Sequence, residues 1–328
     1  MVRVECRGKN MYPLLLTPPI KDYLWGGTKL KTDFGFETEK EIAAEAWMLS
    51  CHKDGMNIVQ NGEYKGKTIN EVLEIWGKSA LGKNAESFSY FPILIKLIDA
   101  KQKLSVQVHP DDEYALSVEG EYGKTEMWYV VDCEEGAELI YGFKENISKE
   151  EFERRIKDNT LTEVCNFVPV NKGDVFFINA GTLHAIGEGI LIAEVQQNSN
   201  TTYRVSDYGR LGADGKPREL HIEKALDVTK CEVPQIPYGK VGDIKVEDSY
   251  TLRDLAACDK FSAKLLTLNG EYKLCSKDSF VSIVVLSGEF SVSFKGESLS
   301  AEKGDSIFIP AGLEVKFDGK AETLYSFV

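Results

Sequence analysis

The stretch of sequence that decides the fold is Gly173-Asp174-Val175-Phe176-Phe177-Ile178-Asn179-Ala180-Gly181, which occurs twice in the chain. The second copy is Gly304-Asp305-Ser306-Ile307-Phe308-Ile309-Pro310-Ala311-Gly312, and six of its nine positions are identical to the first. In both copies a Gly-Asp turn leads into a short apolar strand and an Ala-Gly turn follows it. A repeat of this kind indicates two related β domains. Turns and strands in this order are typical of an antiparallel jelly-roll barrel.

Most of the remaining sequence reads as short strands separated by turns rich in Gly, Asn and Asp. Helices are few. Capping-box patterns predict one helix after Thr68 and another after Ser148, and a third is expected from Ile222 to Val228. We therefore predict a mostly β protein with two jelly-roll barrels and a few short α-helices.

Composition and charge narrow the class of protein. The chain has 328 residues, 43% of them hydrophobic and 28% charged, which is typical of a soluble globular protein. No stretch approaches the roughly 18 consecutive apolar residues of a membrane span. The formal net charge of −13, without any basic tract, argues against binding to nucleic acid. The first residues lack the apolar core of a signal peptide, so the sequence predicts a cytoplasmic protein.

The pattern of the seven cysteines also favours the cytoplasm. They are odd in number, widely scattered and never spaced as Cys-x-x-Cys. A disulfide framework or a structural zinc knuckle is therefore not expected, and a reducing environment is the better interpretation.

Polar residues alternate with apolar ones in the segment Leu104–Pro110. At a period of two, Ser105, Gln107 and His109 fall on one face of a strand. A solvent-facing polar stripe is the alternative interpretation.

Glu126 begins an apolar, aromatic strand, where a carboxylate is costly unless it is paired or binds a cation. Lys124 could be its simple partner.

A third potential metal ligand follows the repeated hairpin. His184 lies three residues beyond Gly181, whereas Val315 occupies that position in the second copy, so a metal site would belong to the first barrel. Together Gln107, His109, Glu126 and His184 would fill the coordination sphere of one divalent metal, most plausibly Zn²⁺. The chain has only four histidines, and His52 and His221 lack such neighbours.

The run from Glu194 to Arg210 is polar yet rich in β-forming residues. Arg204 and Arg210 share strand parity within it. A guanidinium offers a permanent charge and a rigid set of donors, which suits a phosphate or a developing enediolate. A salt bridge to a nearby carboxylate is the alternative.

Four segments together resemble the type I mannose-6-phosphate isomerases, also called phosphomannose isomerases, of the cupin superfamily. They are Ser105–Pro110, Gly123–Glu126, Gly181–Gly187 and Glu194–Arg210, with a weaker match at Ala44–Ser50. The resemblance runs from about Tyr23 to Val328, and the length is similar to the short bacterial form. Departures from the family pattern occur at Ala44, Met48, Asn200 and Ser206, none of them a proposed ligand.

The resemblance implies a catalytic cupin domain over residues 1–235 and a degenerate cupin domain over residues 236–328. One zinc per chain would be bound in the first domain by Gln107, His109, Glu126 and His184. Arg204 and Lys124 would be catalytic residues, and Ser105 and Lys96 would bind the substrate phosphate.

The implied reaction interconverts mannose 6-phosphate and fructose 6-phosphate through a cis-enediol. Such a reaction needs a base and stabilisation of negative charge on oxygen. Lys124, Glu194 and a zinc-bound water are open candidates for the base. The alternative functions are a non-catalytic sugar-phosphate-binding or regulatory cupin, and an iron-dependent cupin dioxygenase, which would favour a histidine where Gln107 stands. The partner is a small sugar phosphate, and the sequence carries no signal for the oligomeric state.

Overall fold

The computed structural model describes residues 10–212 and 215–328, and Cys6 lies outside these ranges. Within them the chain forms five α-helices: α1 (Lys29–Thr32), α2 (Ile69–Trp76), α3 (Asp112–Val118), α4 (Lys149–Lys157) and α5 (Ile222–Val228). Short 3-10 helices cover Gly62–Tyr64, Lys78–Ala80, Lys83–Ser87 and Leu161–Glu163. No helix in the described ranges has the length and apolar character needed to cross a bilayer.

Strands make up most of the regular structure. Up to residue 206 they are β1 (Leu14–Thr17), β2 (Ile20–Lys21), β3 (Glu45–Leu49), β4 (Cys51–His52), β5 (Gly55–Met56), β6 (Ile58–Val59), β7 (Ile93–Ala100), β8 (Val106–Val108), β9 (Glu126–Cys133), β10 (Glu138–Phe143), β11 (Cys165–Pro169), β12 (Val175–Ile178), β13 (His184–Ala185), β14 (Ile190–Gln197) and β15 (Tyr203–Ser206). The later ones are β16 (Ile244–Glu247), β17 (Tyr250–Ala257), β18 (Ser262–Cys275), β19 (Val281–Phe294), β20 (Glu297–Glu302), β21 (Ser306–Ile309) and β22 (Glu314–Phe327). The prediction of a mostly β protein is confirmed.

The repeated hairpin has the same local structure in both copies. β12 and β21 each contain four residues and follow a turn whose glycine, Gly173 or Gly304, has φ of 88° or 97°. Only glycine adopts that left-handed conformation without strain. The next residue then closes the turn, because Asp174 accepts a hydrogen bond from the Asn171 N–H at 2.8 Å and Asp305 accepts one from the Glu302 N–H at 2.8 Å. The identity of the Gly-Asp pair therefore reflects one turn geometry used twice.

Local capping explains the helices that the sequence predicted. At α2 the Glu71 N–H donates to the Thr68 hydroxyl at 3.2 Å and the Thr68 N–H donates to the Glu71 carboxylate at 2.7 Å, which completes the capping box. At α4 only half of that motif forms. The Glu151 N–H donates to Ser148, but the Glu151 carboxylate binds Arg154 and Arg155 instead. α5 spans the predicted residues, whereas α3, capped by Asp111, was not predicted.

Two antiparallel sheets face each other in the first β unit. A five-stranded sheet has the order β11-β10-β13-β8-β15, and a six-stranded sheet has the order β12-β9-β14-β7-β3-β2. Their inner faces share one hydrophobic cluster, to which the five-stranded sheet contributes Leu139, Tyr141 and Val168 and the six-stranded sheet contributes Trp128, Phe176 and Ile192. The packing of two antiparallel sheets through their apolar faces is the jelly-roll arrangement that the repeat indicated.

The second β unit is a nine-stranded antiparallel sheet in the order β16-β17-β18-β22-β19-β21-β1-β6, with β20 paired to β19. Its strands β18, β19 and β22 are each 14 residues long. β1 comes from the beginning of the chain and pairs with β21, with Leu15 opposite Ile307. The division of domains after residue 235 stays a prediction, and β1 and β6 contribute to a sheet formed mainly by later residues.

The six-stranded sheet is buried on both faces, and this positions the site. Along β9, Trp128 and Val130 point into the core of the first unit, while Met127 and Tyr129 pack in the cluster shared with the second unit. β7 and β14 show the same alternation. As a result Glu126, Glu194 and Lys96 point inward on adjacent strands, on the same face as Trp128.

The substitution Leu97→Ala tests the burial of the outer face of this sheet. Leu97 is fully buried in the cluster shared by the two units, and its truncation is expected to lower the free energy of unfolding by about 2–5 kcal/mol. Leu116 on α3 is 49% exposed, so Leu116→Ala is expected to cost less than about 1 kcal/mol. Guanidinium denaturation of both variants measures the difference, and equal losses would contradict the packing described.

Candidate active site

Both sheets of the first unit contribute to one polar cluster. On the five-stranded sheet Gln107 lies in register between His184 on β13 and Arg204 on β15, so the three side chains leave the same face in a row. His109 follows directly after β8. Glu126 approaches from the first residue of β9 on the opposite sheet. The predicted ligands therefore meet between the two sheets.

The ligand atoms lie close enough to share one ion. His109 Nε2 and His184 Nε2 are 3.2 Å apart, and Glu126 Oε1 is 3.3 Å from His184 Nε2. Glu126 Oε2 lies 3.7 Å from His109 Nε2. The Gln107 amide is 3.4 Å from His184 Nε2, and rotation of that amide would present its oxygen to the same point. The four predicted ligands thus converge.

Backbone carbonyls fix both imidazoles in the form that a metal requires. His109 Nδ1 donates to the Thr201 carbonyl at 2.9 Å, and His184 Nδ1 donates to the Thr182 carbonyl at 2.8 Å. Each Nε2 therefore keeps its lone pair and faces the cluster. Burial lowers the pKa of His184 to about 4 and holds the pKa of His109 well below its ordinary value. Both rings are neutral at physiological pH.

Glu126 supplies the test of whether a cation fits here. Its side chain is fully buried, and Oε2 is paired with Lys124 Nζ at 2.8 Å. Oε1 accepts no hydrogen bond from any described residue and lies 3.3 Å from His184 Nε2. Burial, followed by the negative charge of Glu194, raises the pKa of Glu126. A buried carboxylate oxygen without a donor is costly, and a divalent cation would relieve that cost. The donor set fits such a metal.

A buried ion-pair network extends from Glu126 across the sheet. Its members are Glu45, Lys96, Glu194, Lys124 and Glu126. Successive nitrogen–oxygen distances along it are 3.7, 3.4, 3.8 and 2.8 Å. Three carboxylates share two ammonium groups, so the network carries an excess of one negative charge when all are ionised. This excess favours a cation beside Glu126.

Two tryptophans donate hydrogen bonds to carboxylates of this network. Trp47 Nε1 donates to Glu45 Oε2 at 2.7 Å, and Trp128 Nε1 donates to Glu194 Oε2 at 2.8 Å. Burial raises the pKa of Glu194, but Lys124, Lys96 and the Trp128 hydrogen bond outweigh burial, and the net shift is downward. Glu194 is therefore ionised.

A cleft of about 270 Å³ opens onto the cluster and collects most of the predicted site residues. Lys96, Ser105, Gln107, Lys124 and Arg204 all line it. Arg204 Nε donates to the Ser105 hydroxyl at 3.3 Å, and a second guanidinium nitrogen donates to the Glu219 carbonyl at 2.9 Å. Burial, and then the charge of Arg218, lower the pKa of Arg204. The guanidinium is nevertheless charged, as arginine always is in proteins.

Strand parity paired Arg210 with Arg204, but in the structure Arg218 is the second arginine at the cleft. Arg210 does not line the cleft and instead donates to the Lys103 carbonyl at 2.7 Å. Arg218, which the sequence interpretation missed, does line the cleft. Its guanidinium donates twice to Asp207, at 2.7 and 2.6 Å. β15 ends at Ser206 and Tyr208 has φ of 56°, so strand parity does not extend from Arg204 to Arg210.

Other cleft residues have partial signals in the sequence. Glu45 lies in the weak segment Ala44–Ser50, and Asn200, one of the departures from the family pattern, also lines the cleft. Tyr23 and Trp25 complete one wall without any signal that sequence reasoning used. His221 lies outside the cluster, where its Nδ1 accepts a hydrogen bond from the Arg204 N–H at 3.2 Å.

These features define a class of protein: a cupin whose first β unit holds a buried His, Glu, His cluster suited to a divalent cation, beside a cleft lined by four basic side chains. Two family models match the chain. The phosphomannose isomerase type I catalytic domain covers residues 14–153, and the mannose-6-phosphate isomerase cupin domain covers residues 251–328.

Individual relatives agree with the family models. The chain is 42% identical to mannose-6-phosphate isomerase ManA of Bacillus subtilis (strain 168), over 96% of this chain and 98% of that protein. It is 36% identical to a mannose-6-phosphate isomerase of Streptococcus mutans, over 96% of this chain and 98% of that one. The crystal structure of the mannose 6-phosphate isomerase from Bacillus subtilis superposes with a TM-score of 0.89 at 35% identity, covering 97% of this chain and 100% of that one. The chain belongs to the type I phosphomannose isomerase family and is an isomerase, which confirms the resemblance seen in the sequence.

Removal of one imidazole tests the metal cluster. His184→Ala is expected to bind much less divalent metal than the wild-type protein, because one of the converging ligands is lost. His221→Ala removes an imidazole outside the cluster and is expected to keep full occupancy. Elemental analysis after dialysis measures both, and equal metal content in the two variants would contradict the assignment.

Proposed function

We propose that the chain interconverts mannose 6-phosphate and fructose 6-phosphate through a cis-enediol, with one zinc ion bound by Gln107, His109, Glu126 and His184. The observation that carries this proposal is the buried carboxylate of Glu126, whose Oε1 has no hydrogen-bond donor among the described residues and lies among two neutral imidazoles, next to the cleft residues Gln107 and Lys124. The substrate follows from the relatives, which are mannose-6-phosphate isomerases. The cytoplasm remains the predicted compartment.

The reaction transfers a proton between C2 and C1 of the open-chain sugar. It therefore needs a base at those carbons and a positive environment for the oxygens. When bound, zinc supplies a Lewis acid for the sugar oxygens. The remaining requirements fall on side chains of the cleft.

Glu194 is the best-supported base. Its Oε2 is held by Trp128, while Oε1 is buried and accepts no hydrogen bond from the described residues. Glu194 lines the cleft and its lowered pKa keeps it ionised, so Oε1 is able to accept a proton there. Lys124 Nζ lies 2.8 Å from Glu126 and 3.8 Å from Glu194. In this proposal Lys124 stabilises negative charge on a sugar oxygen beside the base.

The phosphate is best placed at the arginine end of the cleft. Lys96 was expected to bind it, yet Lys96 Nζ is buried and already paired with Glu45 and Glu194. Arg204 and Arg218 line the other part of the cleft. Arg218 shares the single carboxylate of Asp207 with Arg210, so the positive charges of these arginines exceed the negative charge of Asp207. Two guanidinium groups and the Ser105 hydroxyl are donors that match a phosphate. We therefore assign the phosphate to Ser105, Arg204 and Arg218.

Metal removal tests the zinc-dependent isomerase against a non-catalytic binding protein. Wild-type protein is expected to convert mannose 6-phosphate in a coupled spectrophotometric assay and to lose at least about 90% of that activity after EDTA treatment and dialysis. Addition of one equivalent of Zn²⁺ is expected to restore it, because the cluster offers neutral imidazoles and a carboxylate. His184→Ala serves as the control, because added Zn²⁺ is expected not to restore isomerase activity to this variant.

Two results would contradict this proposal. Full activity in a preparation shown by elemental analysis to be metal-free would exclude the zinc mechanism. Absence of turnover by the zinc-loaded protein, with retained binding of mannose 6-phosphate in calorimetry, would establish the non-catalytic alternative.

The position of the phosphate is tested by charge removal. Arg218→Met is expected to lower kcat/KM for mannose 6-phosphate by about 10- to 100-fold, mainly through KM, because a charged hydrogen-bond donor to the phosphate is lost. Arg154 is exposed on α4 far from the cleft lining, so Arg154→Met is expected to change kcat/KM by less than about twofold. Steady-state kinetics at fixed ionic strength measures both. An unchanged KM in Arg218→Met would place the phosphate elsewhere.

A further inference from the structure

One side chain connects the candidate base with the candidate metal cluster. Trp128 is fully buried on β9 and lies directly opposite Glu194 of β14 in the register of the six-stranded sheet. Its Nε1 donates to Glu194 Oε2 at 2.8 Å. Its ring also meets the His184 ring edge-on, with centroids 5.3 Å apart and an interplanar angle of 76°.

The hydrogen bond from Trp128 holds Oε2 of Glu194 and leaves Oε1 without a close donor. Oε1 lies 3.4 Å from Lys96 Nζ and 3.8 Å from Lys124 Nζ, and both distances are longer than a close ion pair. A glutamate carboxylate rotates readily about its last torsion angle. Without the indole N–H, both oxygens would be free to turn toward the lysines and form closer ion pairs with them.

A closer ion pair would remove the feature that makes Glu194 useful as a base. In the structure Oε1 is buried and, among the described residues, accepts no hydrogen bond. A proton acceptor must be held within hydrogen-bond reach of the carbon acid, and rotation into the lysines would misdirect it. The indole ring is fully buried in the cluster between the two sheets, and close packing there holds it in place.

We propose that Trp128 is a positioning residue for the isomerisation, which fixes the Glu194 carboxylate so that Oε1 faces the substrate. The inference rests on the proposed function, in which Glu194 is the base. Trp128 itself does not line the cleft, so it acts through Glu194 rather than on the sugar. The role differs from packing, because it depends on the N–H group and not on the volume of the ring.

The substitution Trp128→Phe removes the donor and retains an aromatic ring. We expect kcat for mannose 6-phosphate to fall by about 10- to 100-fold, the range seen when groups that orient catalytic ligands are removed. KM is expected to change by less than about twofold, and zinc content to stay at one ion per chain. Tyr141→Phe is the matched control. It removes a hydrogen bond from the same core, the Tyr141 hydroxyl to the Phe177 carbonyl at 3.0 Å, without contact to Glu194.

A double-mutant cycle separates positioning from packing. If Trp128 acts through the carboxylate, Trp128→Phe combined with Glu194→Gln is expected to have the same kcat as Glu194→Gln alone. An equal fold-loss in both backgrounds would overturn the proposal, since the effect would then pass through His184 or the fold. Unchanged kcat in Trp128→Phe would overturn it, and so would loss of zinc by that variant.

A failure of the proposed function can be distinguished from a failure of the positioning role of Trp128. It is decided by the wild-type protein alone, which must turn over mannose 6-phosphate when loaded with zinc. A wild-type chain without turnover overturns both proposals. An active, zinc-loaded wild type with an unaffected Trp128→Phe variant overturns only the positioning role.

Discussion

The burial of three carboxylates with only two ammonium groups is the constraint on which the rest of the site depends. Glu45, Lys96, Glu194, Lys124 and Glu126 lie on the inner face of one sheet, away from water. Removing charges from water costs several kcal/mol per ion unless each finds a partner of opposite sign. Lys124 and Glu126 form its closest ion pair, yet three negative charges still face two positive ones, and Glu126 Oε1 has no donor among the described residues. Two neutral imidazoles beside that oxygen then complete a donor set for a cation.

Such a network requires a rigid support, and the six-stranded sheet provides it. Its outer face packs in the apolar cluster that extends into the second unit, so Met127, Tyr129 and Leu97 are as inaccessible as the residues that point inward. A sheet covered on both sides cannot slip by one residue, because every side chain would change face. The second unit lacks a histidine in the position of His184 and has Val315 there. Its visible contribution is to cover the back of the catalytic sheet.

Much of this arrangement could be predicted from the sequence, and the failures have physical reasons. The repeat indicated two β units, because each Gly-Asp turn leads into a strand with the same geometry. The period-two alternation predicted that Gln107 and His109 lie on one face of a strand. The same reasoning failed at Arg210, because strand parity ends where β15 ends at Ser206, and it could not point to Arg218, which lies outside that strand. The sequence did not predict α3, because only Ala115 of its seven residues is buried and no helical pattern of apolar residues is present. Distances between sheets, such as that from Glu126 to His184, are properties of tertiary packing that no local pattern encodes.

The pairing of β1 with β21 has a consequence for how the chain reaches its native state. Leu15 lies opposite Ile307, so this contact joins residues that are far apart along the chain. Contacts between distant residues are slow to form, since a long loop must close before they are gained. During synthesis the beginning of the chain leaves the ribosome long before its partner strand exists. The nine-stranded sheet is therefore completed only after β21 has been synthesised, and until then the apolar side chains of β1 have no native neighbour on that side.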